Sequence, residues 1–173
     1  PHLGRPRAAS SEWAMWGFYI ANNVRIDFQA FAGSVAFGLG TVFYLLYNGL
    51  YIGAVAGHLT QIGFVSTFWG FVAGHSAFEL TGAVLSGAAG LKLGLALLAP
   101  GRLPRLAALK ENGRVAVQLL YGAATLTFLA AFIEAFWSPL RGVSLEFKIA
   151  VGMGFWLLTC TYLLLGGRQS RAA

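Results

Sequence analysis

The chain has 173 residues, is 57% hydrophobic and only 10% charged, and has a mean hydropathy of +0.68. An average soluble domain carries about 25% charged residues, and so few charges cannot clothe a water-facing surface of this size, whereas a lipid bilayer removes the demand. The formal net charge of +6 forms no basic stripe and no RNA-binding motif but sits between apolar runs, so it is expected to signal topology and not to bind nucleic acid.

Residues 1–27 read as an amino-terminal arm. It opens at Pro1 without a start Met and without the apolar centre of a signal peptide, which points to upstream sequence. The arm carries Arg5 and Arg7, then interleaves Trp13, Trp16, Phe18 and Tyr19 with Asn22, Asn23, Arg25 and Asp27, as an interfacial amphipathic segment does.

Residues 28–166 are expected to form an all-α transmembrane bundle with spans at about 28–47, 49–66, 68–99, 115–137 and 145–165. The first has the roughly 20 residues that cross a hydrocarbon core of about 30 Å, and Asn48-Gly49 after it is a turn signal. The apolar stretch that follows suits two spans, with a break near Ser66-Thr67. The third span is long enough to be tilted, interrupted or re-entrant, and Pro100 ends it. A basic segment at 100–114 holds Arg102, Arg105, Lys110 and Arg114, and is expected to be a loop with a short surface helix. Ser138-Pro139 closes the fourth span, Gly166-Gly167 the fifth, and a basic tail at 167–173 carries Arg168 and Arg171.

Basic loops favour the cytoplasmic side. That rule puts 100–114 and the carboxy terminus on the cytoplasmic side, and the amino-terminal arm outside. The arginines of the arm oppose this, and a further span upstream would account for their position.

Lipid gives helices no hydrophobic reason to associate, so close packing over small residues must hold them. Gly49, Gly53 and Gly57 on the second span, and Gly82, Ser86, Gly90 and Gly94 on the third, repeat every four residues and so form one face each. Both faces are expected to pack against neighbouring helices, within the chain or in a homo-oligomer.

Ionisable groups inside a membrane are costly and therefore candidates for function. His75 and Glu79 share a helix face, roughly 12 and 18 Å below the outer surface when counted from Thr67 at about 1.5 Å per residue. Glu134 near the outer end of the fourth span, with Asn22 and Asn23 near the first, can join them in one cluster in the outer half of the bundle. Its roles are structural pairing, gating or transport, or a weak metal site, since imidazole and carboxylate are usable ligands. His58 and Gln61 form a second polar pair, suited to interhelical hydrogen bonds, and Asn48 is expected to cap its turn. Cys160, alone in an apolar run, supports no intrachain disulfide and no cysteine metal site, and neither a phosphate-binding loop nor a nucleophile elbow is present. No catalytic residue, cofactor or bound metal is therefore expected.

Several strings stand together in order: Phe18-Tyr19-Ile20-x-Asn22-Asn23, Phe31-Ala32-Gly33, Gly40-Thr41, Asn48-Gly49-x-x-Ile52-Gly53, His75-x-x-x-Glu79-Leu80, Gly87-Ala88-x-Gly90-Leu91, Pro100-Gly101-x-x-x-Arg105, Gly113-Arg114-x-Ala116 and Ile133-Glu134-x-Phe136. Over residues 18–139 this pattern resembles the stage II sporulation protein M family. Gly74 and Ala135 depart from it, at positions where proline and glycine are common. The resemblance implies an inner-membrane protein with an upstream span and cytoplasmic termini. It also implies work beside other membrane or envelope proteins: peptidoglycan-degrading partners in spore formers, and a MoxR-type AAA+ ATPase system in other relatives. The leading expectation is a non-enzymatic scaffold; a permease-like or channel subunit and an intramembrane metal-dependent enzyme are its rivals.

Overall fold

The computed structural model describes residues 9–166; Arg5 and Arg7 of the arm, and Arg168 and Arg171 of the tail, lie outside them. The described chain is a bundle of α-helices: α1 (Ala9–Ala32), α2 (Leu39–Gln61), α3 (Val65–Val72), α4 (Ser76–Leu98), α5 (Arg105–Phe136) and α6 (Leu145–Leu165), with a short 3-10 turn (Gly33–Ala36) between α1 and α2. Four of them, α2, α4, α5 and α6, are long and apolar enough to cross a membrane, and α1, with 24 residues, stands beside them as a fifth long helix. The chain is thus a polytopic helical membrane bundle, close to the expected five spans.

An antiparallel α4–α5 hairpin is the spine. A methyl group added at Gly82 would lie 2.8 Å from Thr127 Oγ1 and 3.3 Å from the Ala123 carbonyl, while Gly122 faces Leu85 and Gly113 faces Leu93. Ala116, Ala123, Ala130 and Ala131 of α5 are buried almost completely. Small side chains on both helices bring their backbones close, which is what substitutes for the hydrophobic effect inside lipid. Arg105 Nε donates to the Leu97 carbonyl at 3.3 Å, closing the hairpin at its basic end.

Several helix boundaries differ from those expected. The break placed at Asn48-Gly49 falls instead at 33–38, inside the span expected at 28–47. Asn48 satisfies itself by donating from Nδ2 to the Tyr44 carbonyl one turn back, at 2.8 Å, so it lies within α2 and caps no turn. The true corner is built by Phe37 and Gly38, both at positive φ (54° and 88°), and by Gly33 and Gly40, whose backbones touch. Here glycine is required, since no side chain fits between those backbones. The corner rests on α4, where Gly94 meets the Gly38 backbone nitrogen and Gly90 meets the Phe31 carbonyl.

The expected 49–66 span is accordingly the second half of α2 and a turn at 62–64, where Gly63 has φ 87°. The 68–99 span is interrupted at 73–75, separating α3 from α4. The expected 115–137 span is the greater part of α5, which also takes up residues 105–114, most of the segment expected to be a loop with a short surface helix. With 32 residues α5 extends to about 48 Å at 1.5 Å per residue, longer than the hydrocarbon core, so Arg105, Lys110 and Arg114 reach past it. α6 occupies 145–165, the residues expected of the last span.

α1 also departs from the interfacial arm expected of it. Tyr19, Asn23, Asp27 and Ala30 are buried at helical spacing, and the helix packs against α4 and α5. Trp13 and Trp16 meet Phe136, and Trp16 meets Phe128 at 5.2 Å, all edge-on or tilted. The polar groups of α1 turn inward because they find partners there.

The two glycine faces diverge. Gly82, Ser86, Gly90 and Gly94 are all buried inside the chain. Gly49, Gly53 and Gly57 face open space, with nothing within 4 Å of a methyl group built on any of them. The expected contact of that second face is absent among the described residues: α2 packs on the bundle through its first turns, where Thr41 is its one buried residue, and meets α3 at its far end through Thr60 and Trp69.

Candidate functional site

The helix ends opposite the basic hairpin loop converge on a set of polar side chains. His75 is the residue before α4, Glu79 lies in the first turn of α4, and Glu134 in the last turn of α5. His75 is 4% exposed. Its Nε2 stands 3.5 Å from Glu79 Oε2, the one His–carboxylate pair among the described residues. Its Nδ1 stands 3.0 Å from Ser138 Oγ.

Ser138 is itself fixed from two directions. Its backbone N–H donates to the Ile133 carbonyl at 2.8 Å, and its carbonyl accepts from Lys148 Nζ of α6 at 2.7 Å. The ammonium also lies 5.8 Å from the centre of the Trp137 ring. A cation at the carboxy-terminal end of α5 suits the carbonyls exposed there. The Lys148–Ser138–His75–Glu79 series thus ties α6, α5 and α4 together at one level.

The interruption at 73–75 is what allows this. Gly74 lies directly against the Trp137 ring, and Gly152 of α6 against the Ala73 carbonyl, so neither position has room for a side chain. Because the helix does not run continuously through His75, the depths of 12 and 18 Å counted along one do not apply; His75 sits at a helix start. Phe71 covers the imidazole edge-on, with ring centres 5.4 Å apart.

From α1, Asn23 Nδ2 approaches Glu134 Oε2 at 3.5 Å, and Asn22 Nδ2 donates to Asn23 Oδ1 at 3.0 Å. Arg25, on the exposed side, donates to Asn22 Oδ1 at the rim. One turn further along α1, Asp27 Oδ2 accepts a short hydrogen bond from Thr127 of α5. The structure therefore gathers His75, Glu79, Glu134 and Asn23, with Asn22 at the rim. One ligand atom from each of His75, Glu79 and Glu134 lies within 4.8 Å of the others. Such an arrangement can share protons, hold a cation or tie helix ends together.

The second polar pair does not form. His58 and Gln61 are exposed at the end of α2, and the hydrogen bonds there belong to Thr60, whose Oγ1 donates to the Ala56 carbonyl and accepts from Trp69 Nε1. Sequence reasoning missed Asp27, Thr127, Ser138 and Lys148. Asp27 had a signal: Tyr19, Asn23 and Asp27 are spaced four apart, one face of a helix. The hydroxyls had none, since Ser and Thr are ordinary residues in membrane helices.

A family model described as stage II sporulation protein M matches residues 3–139. An uncharacterised protein of the archaeon Methanocaldococcus jannaschii is 28% identical over 125 residues, covering 69% of this chain and 68% of the relative. No solved structure matches.

Proposed function

Given that the chain belongs to the stage II sporulation protein M family, we propose that it is a non-enzymatic multi-pass membrane component that anchors or organises an envelope-associated complex. One observation carries this reading: α2 presents Gly49, Gly53 and Gly57 on a face that no other described residue covers. Of its apolar window only 6% is buried, against 44% for α4. A row of small residues lets another backbone approach closely, which is the main source of helix association in lipid.

The occupant this face suits is a membrane-spanning helix of another envelope protein. The family resemblance directs attention to envelope enzymes and to an AAA+ ATPase system as the wider assembly. The same reading takes the membrane to be the cytoplasmic one, with 100–114 and the carboxy terminus inside, so that the His75–Glu79–Glu134 cluster faces the outer end.

A photo-crosslinking amino acid at position 53, in the protein's native membrane, tests the proposal. The expected result is an adduct to a different membrane protein, lost when Gly57→Leu is added. Adducts to lipid alone would overturn it, and adducts to a second copy of the chain would replace the scaffold with a self-associating protein.

A further inference from the structure

We propose that His75, Glu79 and Glu134 form a binding site for one divalent transition-metal cation of the zinc class. The proposal goes beyond the scaffold reading and does not depend on it.

The first argument is geometric. Zinc binds imidazole nitrogen and carboxylate oxygen at about 2.0–2.2 Å, so neighbouring ligand atoms of a tetrahedral site lie about 3.4 Å apart. His75 Nε2 and Glu79 Oε2 are already 3.5 Å apart, and the widest separation among the three ligand atoms is within 4.8 Å. Among the described residues Glu134 is held by the long 3.5 Å contact from Asn23, which leaves its side chain room to turn toward the other two ligands. Three protein ligands leave a fourth position for water.

The second argument concerns the imidazole. A metal-bound histidine donates its other ring N–H to an oxygen that fixes its tautomer and orientation. Ser138 Oγ is placed for this at 3.0 Å from Nδ1, and it is 2% exposed. Ser138 is in turn pinned by the Ile133 carbonyl and by Lys148. With Nδ1–H donating to Ser138, the Nε2 lone pair is left on the side of Glu79. The same serine donating to Nδ1 would instead set Nε2–H toward Glu79, which is the metal-free tautomer.

The third argument is charge. Among the described residues no lysine or arginine forms an ion pair with Glu79 or Glu134; Lys148 is committed to a carbonyl and Arg25 to Asn22. Two carboxylates with no countercharge are costly inside a membrane. One divalent cation balances these two, while Asp27, the third buried carboxyl group nearby, is held by Thr127. Nitrogen and oxygen ligands together select a borderline ion such as zinc over calcium or magnesium, which prefer oxygen alone. Access is available through Glu79, whose side chain keeps a quarter of its surface exposed.

The test uses the full chain purified in detergent, stripped with a chelator and dialysed against zinc. Equilibrium dialysis with elemental analysis should find one zinc per chain. The isosteric variants Glu79→Gln and Glu134→Gln should each weaken binding at least tenfold, and Ser138→Ala by about 10- to 100-fold, the usual effect of removing an orienting partner. His58→Ala, which removes the exposed histidine, should leave binding unchanged. Cobalt substitution should give the visible absorption of a tetrahedral site in the wild type and lose it in Glu134→Gln. Sub-stoichiometric zinc at micromolar concentration, retention of full affinity in Glu134→Gln, or loss of binding in His58→Ala would each overturn the proposal. The crosslinking result at position 53 is unaffected by any of these outcomes, so the two readings fail separately.

Discussion

A methyl group at Gly90 would lie 2.8 Å from Thr41 Oγ1 and 2.9 Å from the carbonyl oxygen of Phe31. The hydroxyl can rotate, but the carbonyl belongs to the backbone at the end of α1 and cannot move without the helix. Overpacking of this kind costs about 1–3 kcal/mol. Gly90→Ala should therefore lower the thermal midpoint of the purified protein in detergent. Gly53→Ala offers the internal comparison, because nothing lies within 4 Å of the added methyl. It should leave the midpoint unchanged or raise it, since alanine is favoured over glycine in a helix by about 1 kcal/mol. Equal losses at the two positions would show that the two glycine faces are not different in kind. Both were found from the same four-residue repeat, and residue spacing alone cannot tell a face that meets its own chain from one that meets something else.

At the scale of elements, the interruption between α3 and α4 depends on what presses against it. Gly74 touches the six-membered ring of Trp137, so Gly74→Ala must push the indole away and with it Ser138, the partner of His75. The expected cost is about 1–3 kcal/mol, read as a lower denaturation midpoint. Trp137→Leu, by removing the ring, should make the added methyl cheaper, so the double variant should be less destabilised than the sum of the singles. Strict additivity would mean that the indole does not set the break. Legibility in the sequence divides along similar lines. α6 and the hairpin bend after Pro100 coincide with punctuation that the backbone must obey. The corner at 33–38 lies within an apolar run and is marked only by Gly33-Ser34 and Gly38, weaker than the Asn48-Gly49 turn signal that Asn48 cancels by bonding to Tyr44. Of the site, His75, Glu79, Glu134 and Asn23 stood out as polar groups in apolar surroundings. Ser138 and Lys148 did not, because their importance comes from which carbonyl or ring nitrogen they meet across the bundle.

For the whole molecule, the antiparallel α4–α5 hairpin sets basic residues at one end and the carboxylate cluster at the other. Under the positive-inside rule this polarity fixes orientation. In a Cys160→Ala background, Gly101→Cys in the basic hairpin loop should react with a membrane-impermeant thiol reagent only in inverted vesicles. Gly142→Cys, in the loop before α6, should react in intact spheroplasts. Both positions face open space; Gly142→Cys meets nothing, while Gly101, at φ 68°, takes a side chain only with some backbone strain in the loop. Reaction of Gly101→Cys from outside would reverse the orientation and bring the cluster to the cytoplasmic end.

The same architecture has a consequence in time. The contacts of Asn23 with Glu134 and of Asp27 with Thr127 join residues 111 and 100 positions apart. At a synthesis rate of about 5–20 residues per second, α5 follows α1 out of the ribosome by roughly 5–20 seconds. During that interval Asn23 and Asp27 have no α5 to bond, and lipid is a poor place for either to wait. α1 therefore has to be retained at a hydrated site, in the insertion machinery or at the membrane surface, until the hairpin arrives. Its tryptophan-rich first half suits the surface, so the segment that ends inside the bundle is also composed for lingering at the edge of it.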